Sequence, residues 1–114
     1  MDTLPIIYRA YELYKKIIEI NAGLEKRWRY SLGISLEQTI LQLLQEIIMA
    51  KHAPKNLKPT YLLRALGNQE IAVLKLRLFL ELSIAHETKI SQCQAILSEI
   101  GRMLGGWLKS LGAS

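Results

Sequence analysis

Apolar residues recur along nearly the whole of this chain at alternating spacings of three and four, and no segment sustains a period of two. That rhythm places successive apolar side chains on one face of an α-helix, so strands are not needed to explain the pattern. Four stripes can be written. The first is Leu4, Ile7, Tyr11, Tyr14 and Ile18, with Pro5 in its first turn and Asn21-Ala22-Gly23 at its end. The second is Leu36, Ile40, Leu43, Ile47 and Ala50, stopped near Pro54. The third is Leu62, Leu66, Val73, Leu76 and Leu80, with Pro59 at its opening and the polar Gln69 on the same seam. The fourth is Ile90, Cys93, Leu97, Ile100, Leu104, Trp107 and Leu111, beginning at a capping box over Ser91-Gln92-Cys93-Gln94 or at Thr88.

The 114 residues suffice for one domain with one core. Short connections, Gly23 to Lys26, Pro54 to Lys58 and His86 to Lys89, predict antiparallel neighbours. The later three helices span about 22 to 28 residues, roughly 33 to 42 Å. The expected fold is therefore all-α, an antiparallel, left-handed up-down-up-down four-helix bundle. Leu41, Leu44 and Ile48 on the second helix, and Leu63, Leu74, Leu78 and Leu82 on the third, exceed what one core face requires. They form either a broad core stripe or a second face buried by self-association.

Lys75, Arg77 and Glu81 interrupt the longest apolar stretch, so no membrane span is expected. The start, Met1-Asp2-Thr3-Leu4-Pro5, lacks the features of an export signal. The single cysteine, Cys93, lies at a seam position and has no intrachain partner; the expectation is a small buried hydrophobe in a reducing cytoplasm.

The last stripe keeps its period while holding Gly101, Gly105 and Gly106 just before Trp107. Each interior glycine costs a helix about 1 kcal/mol relative to alanine, which points to close packing of a helix or subunit, unless Gly105-Gly106 merely unwinds the terminus and Trp107 plugs the core. The run Glu99-Ile100-Gly101-Arg102-Met103-Leu104-Gly105-Gly106-Trp107 resembles the C-terminal signature of the accessory variability proteins of diversity-generating retroelements. Arg29-Tyr30-Ser31-Leu32-Gly33, Lys58 with its following leucines, and Leu76-Arg77-Leu78-Phe79-Leu80-Glu81-Leu82 resemble that family's second and third helices. The first turn departs from it, with Gly23-Leu24-Glu25-Lys26 in place of an aromatic-proline-basic run. The resemblance implies a four-helix bundle assembled into a five-fold ring, which binds structured template RNA and a reverse transcriptase and supports error-prone complementary-DNA synthesis. It also implies Arg77 as a partner contact.

The net charge of +5 lies entirely between Lys26 and Arg64, where Lys26, Arg27, Arg29, Lys51, Lys55, Lys58 and Arg64 face only Glu37 and Glu46. These seven are the candidate nucleic-acid contacts, grouped at the two ends of the second helix about 33 Å apart. Repetition around a ring would add avidity to weak patches. Against that stands helix capping, which suits Lys51 and Lys55 near a C-terminus better than Lys26, Arg27 and Arg29 near an N-terminus. Trp28 is either a base-stacking surface or a cover for the bundle end. Arg77 and Arg102 interrupt apolar segments, as partner contacts or as arginines snorkelling beside the core.

Enzymatic readings lack parts. His52 and His86 are expected at opposite ends, no Glu-x-x-His spacing occurs, and no phosphate-cradling glycine loop is present, so neither catalytic residue, metal nor cofactor is expected. Other bundles carry the same charge pattern: a protein of the kind encoded by intervening sequences in ribosomal RNA, or an oligomeric adaptor whose lysines only keep it soluble.

Overall fold

The computed structural model describes residues 4–112, so Met1–Thr3, at which the expectation about export begins, lie outside the described residues. Its elements are α1 (Leu4–Ala22), α2 (Lys26–Trp28), a π-helical turn (Arg29–Gly33), α3 (Ile34–His52), α4 (Lys58–Glu81) and α5 (Glu87–Ser110). α2, the π turn and α3 follow one another without a break. The chain is thus four packed helical rods in a body of 45 × 21 × 20 Å, and no strand occurs among the described residues.

Each rod buries one seam with spacings of three and four. α3 buries Leu36, Ile40, Leu43, Ile47 and Ala50, and α5 buries Ile90, Cys93, Leu97, Ile100, Leu104 and Trp107, the stripes read from the sequence. α1 and α4 differ. α1 buries Ile6, Ala10, Leu13, Ile17 and Ile20, while Tyr11 and Ile18 are 52% and 42% exposed; the side chain of Leu4 lies outside the described residues. α1 is apolar over about half its circumference, so two stripes fit the period. The tyrosines go to the boundary, where a hydroxyl keeps access to water. α4 buries Leu62, Ala65, Ala72, Leu76 and Phe79, whereas Val73 is exposed and Leu66 and Leu80 are half-buried. Two alanines on the true seam were outweighed in the sequence by larger neighbours.

Those alanines thin the middle of α4 and let Gln69 between them reach across to α5. Gln69 Nε2 donates to the Leu97 carbonyl at 3.0 Å, and a Cβ built on Gly101 would lie 2.8 Å from the same nitrogen. The Gln69 amide thus lies in the space that a side chain at Gly101 would take. Gly105 and Gly106 have no such neighbour and lie exposed within α5, which continues as helix to Ser110. They do not unwind the terminus.

Three polar contacts tie the remaining rods. Lys75 Nζ on α4 donates to Ser35 O at 3.2 Å, Ser35 Oγ at 2.6 Å and Thr39 Oγ1 at 2.8 Å near the start of α3. Arg9 on α1 donates through Nε to Glu99 on α5 at 3.0 Å, which holds the Glu99 carboxyl below its usual range. The buried Asn21 donates through Nδ2 to Gly33 O at 2.7 Å and Glu37 Oε2 at 2.8 Å, pinning the end of α1 to the π turn.

The connections are Gly23–Glu25, Ala53–Leu57 and Leu82–His86. The last falls earlier than expected, and α5 opens at Glu87 behind His86 with no side-chain cap instead of at Ser91 or Thr88. The cause is the end of α4, where Ser83 adopts φ 54° and Ile84 N–H donates to Phe79 O at 3.2 Å, with Ser83 N–H to Leu80 O at 3.0 Å. This left-handed closure stops α4 sharply and leaves room for an earlier restart.

Gly101→Ala is expected to leave stability near wild type, because losing the Gln69 bond costs about 1 kcal/mol and helix propensity returns about the same. Gly101→Leu adds overpacking and should cost about 2 kcal/mol of unfolding free energy in a urea titration, and Gln69→Ala in the same chain should recover part of it.

Candidate nucleic-acid interface

The seven basic residues expected at the interface divide into those that the fold uses and those it leaves outward. Arg29 turns back onto the preceding helix, where its Nη2 donates to Ala22 O at 3.0 Å and Leu24 O at 3.2 Å, and its Nε is buried without a partner. The cation opposes the dipole of its own helix start but satisfies carbonyls at the end of α1. Lys58 does the same for α3: its Nζ donates to Ala50 O at 2.8 Å and Lys51 O at 3.0 Å. Sequence position predicted Lys51 and Lys55 as the better capping candidates, and Lys58 from across the loop takes that role.

Lys26, Arg27, Lys51, Lys55 and Arg64 are exposed. Lys26 and Arg27 lie at the α2 end of the continuous rod and Lys51 and Lys55 at the other, with Arg64 one to two turns into α4. Both ends therefore keep outward basic groups. Arg27 has an exposed ion pair with Glu25 at 3.4 Å, the kind that contributes little net stability and exchanges readily.

The two acids in this segment do not offset that charge at the surface. Glu46 is buried and accepts from Gln42 Nε2 at 2.6 Å, while Glu37 is half-buried against Asn21. The outward face from Lys26 to Arg64 is thus more one-sidedly positive than its composition suggests. Inward acids at helical spacing were not distinguishable in the sequence from solvated ones.

The aromatic residues here also divide. Trp28 is half-buried and packs on the core, and the Arg27 guanidinium lies 4.7 Å over its ring. Tyr30 is exposed. Trp107 is buried, a core residue on α5.

The expected partner contacts stand apart from this surface. Arg77 is exposed and pairs with Glu81 at 3.3 Å on its own helix; Arg102 is exposed and donates to Ser98 Oγ at 3.0 Å. Neither flanks the seam closely enough to need the core. Among the glycines expected to serve packing, Gly101 does so inside the chain, while Gly105 and Gly106 meet no atom of it.

Chemistry of other kinds finds no assembled site. No group of three or more histidine, cysteine, aspartate or glutamate side chains fit to hold a metal occurs among the described residues. His52 at the end of α3 and His86 before α5 are both exposed. Cys93 is buried, and desolvation pushes its thiol up to about 11, with Lys16 lowering and Glu19 raising it to lesser degrees. No helix among the described residues is long and apolar enough to cross a membrane.

Two measurements check these assignments. Arg29→Ala and Lys58→Ala should each lower stability by about 1 kcal/mol through lost carbonyl partners, whereas Lys26→Gln, Arg27→Gln, Lys51→Gln and Lys55→Gln should stay within about 0.5 kcal/mol by chemical denaturation. Cys93 should resist thiol reagents at pH 8 until the fold opens. Because its folded value is raised, the unfolded chain alone releases this proton as pH climbs from about 9 toward 11, so the Cys93 contribution to stability falls across that window.

No family model, curated protein or solved structure matches the chain.

Proposed function

We propose that this protein is a non-catalytic, self-associating, antiparallel four-helix bundle that holds structured RNA by its phosphates and serves as an accessory subunit of a retroelement reverse transcriptase. The observation that carries the RNA reading is the outward basic set Lys26, Arg27, Lys51, Lys55 and Arg64, with the acids of the same segment turned inward. Phosphate contacts by such groups release counterions and need no base-reading module. The reverse transcriptase and the five-fold ring rest on the sequence resemblance and the cytoplasmic setting on the single unpaired cysteine, with Arg77 and Arg102 as the proposed partner contacts.

The antiparallel course is supported by which ends meet: the end of α1 with the start of α3 through Asn21, the start of α3 with the later part of α4 through Lys75, and the early part of α1 with the later part of α5 through Arg9. Self-association is supported by the outer face of α4. Leu63, Ile71 and Leu74 lie on the side of α4 away from its buried seam and are exposed, at 57% for Leu63 and 54% for Leu74. An apolar stripe of that length on a single chain marks an interaction surface. Gly105 and Gly106, unapproached within the chain, are proposed to receive a neighbouring subunit.

Light scattering at tens of micromolar is expected to give a homo-oligomer, and binding of a structured RNA should weaken steeply with salt. Lys26→Gln with Arg27→Gln should flatten the slope of log affinity against log salt by about 1 for each phosphate contact removed. A monomer that ignores RNA at low salt would overturn the proposal. An oligomer with salt-insensitive protein binding and no RNA retention would favour a structural adaptor.

A further inference from the structure

Phosphate binding calls for point charges, and one arrangement at the α2 corner is more specialised than that. The Arg27 guanidinium sits 4.7 Å over the ring of Trp28, which is half-buried against the core. The Arg27 side chain is 72% exposed, and its one ion pair, to the equally exposed Glu25, is weak. A guanidinium resting on an indole loses less freedom when it is used, and it presents a flat cation to solvent. Flat cations and aromatic faces are what unstacked bases bind, while a base inside a duplex offers neither face.

The neighbouring aromatic residues fit that role less well. Arg29 lies 6.0 Å from the exposed Tyr30 ring, but its guanidinium is committed to the Ala22 and Leu24 carbonyls. Arg64 lies 5.6 Å over Tyr61 at the opposite end, a looser pairing. Of these three pairs, Arg27 with Trp28 combines a half-buried ring, a close cation and an adjoining exposed lysine, Lys26.

We propose that Arg27 over Trp28 is a stacking platform for one unpaired base of the bound RNA, with Lys26 on the adjacent phosphate. The bound RNA is then single-stranded at this point, as a loop, bulge or end, and Glu25 gives up Arg27 when the base arrives. This rests on the RNA-binding reading above and narrows it from charge alone to charge plus an unstacked nucleotide.

The test uses the full chain at low salt, titrated with an unstructured RNA oligonucleotide and, separately, with a fully paired RNA duplex carrying the same number of phosphates. Trp107 is buried, so a change in tryptophan emission on binding reports Trp28. The oligonucleotide is expected to quench the emission and the duplex to leave it unchanged. Arg27→Lys, which keeps the charge and removes the plane, should weaken oligonucleotide binding about tenfold and change duplex binding by less than twofold. If both RNAs bind without quenching, or if Arg27→Lys affects neither or both alike, the platform is refuted and the RNA-binding reading stands. If neither RNA binds, both fall.

Discussion

The packing of α4 on α5 turns on an amide occupying the space of a missing side chain. Gln69 is a half-buried polar residue on the α4 seam, and its amide makes its hydrogen bond across to α5. The Leu97 carbonyl supplies the acceptor, Gly101 the space, and Ala65 and Ala72 the closeness of approach. With that crossing fixed, Phe79 and Leu76 fall into the core toward one end of α4 and Leu62 toward the other. Apolar side chains alone could slide along a seam, but an amide with one acceptor gives the two helices a register.

The same logic holds at the corners. Asn21 pins α1 to the π turn, Lys75 joins α4 to α3, and Arg29 and Lys58 close the carbonyl ends of α1 and α3 from outside those helices. Polar side chains therefore fix the geometry and apolar seams supply the burial. The positive charge that remains outward, at Lys26, Arg27, Lys51, Lys55 and Arg64, is what the fold does not consume.

The all-helical class and the seams of α3 and α5 were legible because those helices carry one dominant stripe of large apolar residues. α1 was misphased, and α4 was read with Leu62, Gln69 and Leu76 on the seam but with Leu66, Val73 and Leu80 in place of Ala65, Ala72 and Phe79, for one reason: both helices are apolar on more than one side, and periodicity then fixes the spacing of a stripe but not which stripe faces inward. Alanines at 10, 65 and 72 mark the buried side by being small, a signal that counting large residues misses. On the candidate interface, the basic cluster was visible, but which cations cap carbonyls and which acids turn inward depends on contacts across loops. Lys58 reaches back eight residues and Arg29 seven, each across a loop between two helices and not along one helix.

The π turn at Arg29–Gly33 has a consequence for how this chain tolerates changes of length. A π turn is a helix holding one residue more than its α-helical equivalent. Deleting one residue there lets the segment relax to α-helix while the α3 seam keeps its phase from Leu36 onward. Five residues of π turn advance about as far around the axis as four of α-helix, so the residues before it, Lys26 and Arg27 among them, keep nearly their direction. The extra residue is absorbed within one turn, so the basic corner and the α3 seam keep their relative directions with or without it.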